Sequence, residues 1–63
     1  MDPTACWLEL QNLVITAHWQ EAKQKAQDLL EWLKKDGFAP RIGGHPTFDR
    51  LCAEATCERI LKW

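Results

Sequence analysis

Between Trp19 and Lys35 the chain sorts its side chains onto two sides. Trp19, Ala22, Ala26, Leu29, Leu30 and Leu33 recur at three- and four-residue intervals, while Gln20, Lys23, Gln24, Gln27, Glu31 and Lys34 fall opposite. At about 100° of turn per residue this pattern fits an α-helix with one apolar stripe. A strand, whose faces alternate at every residue, would scatter the same positions over both faces. Glu21 and Lys25, and likewise Glu31 and Lys35, stand four apart in the favourable order, each pair adding about 0.2–0.5 kcal/mol. Lys34 and Lys35 suit the negative end of the helix dipole, and Gly37 is expected to take the left-handed conformation that stops the helix. The apolar stripe must be covered, and a chain of 63 residues has little else to cover it with.

Two further segments answer that demand. Asp2 suits an N-cap and Pro3 the first helical position, where its missing N–H would have no partner anyway. Beyond them Cys6, Trp7, Leu10, Leu13, Val14 and Ala17 share one broad face, and Leu8 and Ile15 share the opposite one. A helix that is apolar on two sides has two neighbours to satisfy. A break follows at Ala17-His18, with His18 the candidate N-cap and Glu21 in the capping-box position. From Phe38 to Pro46, two prolines and two glycines exclude a regular element, and Phe38 and Ile42 are expected to tuck back onto the helices. The last segment begins near Pro46 or Thr47, with Thr47 as candidate cap, Asp49 in the first turn and Lys62 in the last. Its apolar residues, from Phe48 and Leu51 to Ile60 and Leu61, wrap most of the circumference, as expected of a helix that is central or shared with another chain. No stretch alternates β-branched and polar residues in the manner of a strand. The expected fold is all-α: a single domain over residues 1–63, built as a helical hairpin plus a third helix, with helices at about 3–17, 19–35 and 47–62.

At Trp7, Leu10, Ala17-His18-Trp19, Ala22, Ala26 and Leu29 the hairpin resembles one tetratricopeptide-type unit. That family places an aromatic early in its first helix, then a tight turn, then an aromatic followed three residues later by alanine. Here that last piece is Trp19-Gln20-Glu21-Ala22. His18 stands where a glycine is usual and Leu10 where a small residue is usual; there is one copy, against the three or so that bury a continuous core. As an analogy of shape, the resemblance implies protein binding.

The chemistry-bearing residues point to few activities. There is no serine and no tyrosine, which removes serine hydrolases and tyrosine-dependent reactions. Cys52 and Cys57 are five apart, about 140° on a helix, and Cys6, His18 and His45 are scattered, unlike the paired ligands of a zinc site. Core packing is the expected role of the thiols, with no metal and no cofactor. No orienting group or oxyanion donor accompanies any cysteine, so no enzymatic role is expected. Three thiols, an odd number, fit a reducing compartment. Met1-Asp2-Pro3-Thr4 offers neither a basic nor an apolar leader region, so a cytoplasmic location is expected, and no apolar run approaches the roughly 20 residues of a membrane span.

Two binding surfaces remain. Gly43-Gly44-His45 leads into a helix N-terminus, with Arg41 before it and Arg50 after it; Arg41, Gly43, Gly44 and His45 are the candidate anion-binding set, although a flexible turn accounts for the same glycines. Four tryptophans are a heavy load for a thin core. Trp7 and Trp19 align with core stripes. Leu8, Ile15, Trp32 and Leu61 fit no common seam, and Trp63 comes last in the sequence. Leu8, Ile15, Trp32, Leu61 and Trp63 are therefore the expected partner-binding set, the partner being a second copy of the chain (a homodimer) or another protein. The alternative is weak nucleic-acid binding by the outer face of the second helix, through Gln20, Lys23, Gln24, Gln27 and Lys34. A net charge of −1, with Glu21, Asp28 and Glu31 on or beside that face, opposes it.

Overall fold

The computed structural model describes residues 2–63. Three helices follow one another: α1 over Pro3–Ile15, α2 over Trp19–Lys34 and α3 over Pro46–Leu61, with no strand among the described residues. Asp2 caps α1 through its carboxylate, which accepts from the N–H groups of Thr4 (3.1 Å) and Ala5 (3.3 Å), two of the donors that a helix start leaves unpaired.

Each of the first two helices ends through the same hydrogen-bond pattern, with a non-glycine residue in the left-handed conformation. At the end of α1, Ala17 donates to Val14 O (3.1 Å) and His18 to Leu13 O (2.9 Å), with Ala17 at φ 60°. This Schellman arrangement ends α1 two residues short of the expected 17. Thr16 adds a hydroxyl bond to Asn12 O (2.8 Å) and sits 2.6 Å from His18 Nδ1, so the imidazole faces backward and makes no cap to α2. At the end of α2 the left-handed residue is Asp36 (φ 63°), and Gly37 is one position further on. Asp36 donates to Leu33 O and Gly37 to Trp32 O. Gly37 is needed for a different reason: a Cβ there would overlap the Trp32 indole. Proline at the first position starts α3 at Pro46, and His45, not Thr47, occupies the N-cap position.

The core is one seam. Cys6, Trp7 and Leu10 of α1, Ala22, Ala26, Leu29, Leu30 and Leu33 of α2, and Ala53, Cys57 and Ile60 of α3 form a single buried cluster. It is α2 that packs against both neighbours, so α2 is central and the all-round apolar α3 is flanking. Ala22 and Ala26, both fully buried, have little side chain to hold the neighbouring helices away. A radius of gyration of 10.6 Å equals the roughly 10.6 Å of a well-folded chain of this length. The apolar residues left on the surface are therefore not the product of a loosened bundle.

Candidate functional site

The two ends of the molecule are furnished differently. At one end the connector between α2 and α3 lies across the start of α1 and α3. Thr4 Oγ1 of α1 accepts from Arg41 N (3.0 Å). Asp49, on α3, is the buried polar residue of the core; its carboxylate accepts from Gly43 N (2.8 Å) and Ile42 N (3.2 Å). The N–H of Gly43 above all, with those of Ile42 and Gly44 and the nearby His45, holds the Asp49 carboxyl below its ordinary value despite its desolvation. The glycine turn expected as an anion site thus does cradle an anion, and the anion is the chain's own. Arg41, Gly43, Gly44 and His45 are all exposed, and the amide N–H groups of Ile42 and Gly43 are engaged.

Arg50 is committed as well. Its guanidinium donates to Gly37 O (2.9 Å) and to Leu33 O, and pairs with Glu54 (3.2 Å) and, more loosely, Asp36 (4.0 Å). It closes the end of α2, where free carbonyls and the helix dipole favour a cation. Trp32 lies at the same end. Its Nε1 donates to Phe38 O (2.9 Å), and its ring meets that of Phe38 edge to face at 5.6 Å. Half-buried against the core, Trp32 anchors the connector, and this is what places it off the main stripe of α2. Phe38 tucks in only as far as that contact and is otherwise exposed, as is Ile42. Leu61 is also half-buried against the core, because α3 turns that side toward its own bundle. Of the five residues expected at a partner surface, these two have folding contacts instead.

The other end is apolar and open. Leu10, Val14 and Ile15 of α1 and Ala55 and Ile60 of α3, with Trp63 beyond it, line a groove of about 340 Å³, edged by Gln11, Thr56 and Arg59. Ile15 is 80% exposed and Trp63 52%; Leu8, on the outward side of α1, is 62% exposed. Trp19, expected in the core, is 47% exposed, because it opens α2 beyond the last residue of α1 that could cover it. Its indole stands edge to face on that of Trp63 at 5.0 Å, and Lys23 Nζ donates to Trp63 O. Phe48 and Leu51 are exposed further along α3. They lie within about 60° of Ala55 around the helix, so the outer side of α3 carries an apolar strip that reaches the groove wall. Ile15 and Trp63, both singled out in the sequence, line this groove; the groove itself was not legible there, since nothing in one helix reports how far a second helix stands from it.

Two of the three thiols, Cys6 and Cys57, lie in the core. Burial pushes the Cys57 thiol up to about 12 and raises Cys6 as well, with Lys25 opposing; neither is a thiolate at neutral pH. Cys52 is half-buried. Among the described residues no group of three His, Cys, Asp or Glu is placed to hold a metal ion. On the outer face of α2, Gln24 donates to Asp28 (3.1 Å) and Gln27 to Glu31 (3.0 Å), so these amides are held by carboxylates. Lys25 pairs with Glu9 across α1 and α2 at 2.9 Å, and that hydrogen bond raises its pKa. None of the described helices is long and apolar enough to cross a membrane.

The chain matches no protein-family model, no curated protein and no solved structure.

Proposed function

We propose that this chain is a protein–protein contact module, acting by self-association or as an adaptor for another polypeptide. The observation that carries the reading is the open apolar end: Ile15 and Trp63 on the rim of one groove, with Trp19 edge to face on Trp63. Contiguous exposed apolar surface of this kind marks interaction sites, and tryptophan is prominent among residues that dominate binding energy. Leu8 and Ile15 extend the surface along α1, and Phe48 and Leu51 along α3. A cytoplasmic setting, which keeps the three free thiols reduced, accords with this role.

Sedimentation equilibrium tests the self-associating form. A dimer that dissociates in the Leu8→Glu, Ile15→Glu double variant supports it, and a strict monomer up to millimolar concentration overturns it. The adaptor form is tested by purifying tagged unmodified and double-variant chains from the same cells. Loss of specific companions in the variant supports that form; an identical set of companions overturns it.

A further inference from the structure

The groove between α1 and α3 has a shape and a charge that together select its occupant. Val14 and Ile15, at the end of α1, line it with Arg59 and Ile60, near the end of α3. At the far end of the bundle, Thr4 and Asp49, near the two helix starts, both hold the connector. The helices α1 and α3 therefore run in the same direction, and α2 runs against both. A fourth helix laid in the groove, antiparallel to its walls, completes an up-down-up-down bundle. That direction brings its positive N-terminus to the negative C-terminal ends of α1 and α3.

Arg59 adds the second requirement. Among the described residues it is the one charged residue lining the groove, and its guanidinium makes no ion pair. A second copy docked groove to groove would bring a second Arg59 and, among the described residues, no lining carboxylate to pair with either. An acid in the first turn of an antiparallel helix would instead arrive beside Arg59, where acids are also favoured by the helix's own dipole.

We infer that the α1–α3 groove seats an amphipathic helix of a different protein, apolar at three- and four-residue spacing and acidic in its first turn. This is the helix-in-groove mode of recognition. The inference rests on the contact-module reading and adds the partner's chemistry and direction.

The test uses two synthetic N-acetylated helical peptides of about four turns, both with leucines at helical spacing. One carries glutamates and the other lysines in the first turn. Binding to the full chain is followed through backbone amide shifts. The expected result is movement at Val14, Ile15, Ala55 and Arg59, with the acidic peptide bound about fivefold more tightly than the basic one. Arg59→Gln should shrink that preference and Arg59→Glu shrink it further; Arg59 is exposed and, among the described residues, in no ion pair, so both variants should fold. Equal affinity for the two peptides, or shifts confined to other surfaces, overturns the inference. A concentration-dependent dimer weakened by Ile15→Glu also overturns it, since a second copy then fills the groove, and that result leaves the contact-module reading standing.

Discussion

The connector end and the groove end of this bundle are built from opposite materials. At the connector, Asp49 takes two backbone N–H groups, Arg50 takes two backbone carbonyls and the Trp32 indole takes a third. Every one of those side chains is occupied by its own chain. At the groove the prominent side chains are Ile15, Trp19 and Trp63, which lie about half to four-fifths exposed. The contrast separates two uses of conspicuous residues. A tryptophan whose ring nitrogen is bonded to a nearby carbonyl, and whose face is pressed on a glycine, serves the fold. A half-exposed tryptophan set edge to face on another half-exposed tryptophan leaves surface for something else. Substitutions at the connector should therefore cost stability, and those at the groove should leave it nearly unchanged.

The largest effect is expected at Gly37. An alanine there meets the Trp32 indole, which must move and give up both its bond to Phe38 O and its ring contact. Overpacking of this kind costs about 1–3 kcal/mol. Urea unfolding of Gly37→Ala measures it; a loss below about 0.5 kcal/mol would show that the connector is not held by Trp32.

Asp49 gives the connector a signature in pH. Its carboxyl is held below the ordinary value in the fold, so the unfolded chain binds a proton more readily than the folded one. Its contribution is then complete above about pH 4, near the unfolded value, and is lost as pH falls through the lower folded value. The melting temperature of the unmodified chain should drop in that acid window, while Asp49→Asn, less stable at neutral pH, should lose less there. Parallel curves for the two proteins would remove Asp49 from the account.

A smaller effect, of opposite sign, is expected where α1 stops. Ala17 sits at φ 60°, which costs an L-residue about 1–2 kcal/mol. Glycine relieves that strain but has more freedom to lose on folding, by about 0.4–1 kcal/mol. Ala17→Gly should therefore stabilise the chain by about 0.5–1 kcal/mol, seen as a raised melting temperature. A drop would mean that the α1–α2 turn is set by the Thr16–His18 contact and not by the backbone at residue 17.

What the sequence disclosed follows the same division. The stripe of α2 is regular, so Ala22, Ala26, Leu29, Leu30 and Leu33 were legible as core, and all are buried. So was the start of α1, because Asp2-Pro3 is a local signal and the cap it forms is local. Helix ends were read two residues long at Ala17 because alanine gives no sign that it will adopt a left-handed φ. Long-range pairings were out of reach: Asp49 reads as a helix-dipole acid, and only folding shows that its carboxylate turns toward Ile42 and Gly43. Trp32 and Trp63 look alike in a periodicity plot. What separates them is a carbonyl six residues away for one, and for the other an exposed indole across the bundle.

The smallest change in stability is expected from Ile15→Lys, and it tests the contrast most directly. Ile15 is the last residue of α1 and is 80% exposed, so little apolar burial is lost. A cation at that position meets the negative end of the helix dipole and recovers about 0.3–1 kcal/mol. The two terms nearly cancel, and unfolding should shift by no more than about 0.5 kcal/mol. The same lysine puts a second positive charge into the groove that Arg59 edges, where an apolar partner surface would have to desolvate it. Binding of an apolar helical peptide with no acid in its first turn should therefore weaken by about tenfold or more while the fold is untouched. If stability and binding fall together, the groove is part of the folding core after all, and the distinction between the two ends of the bundle fails.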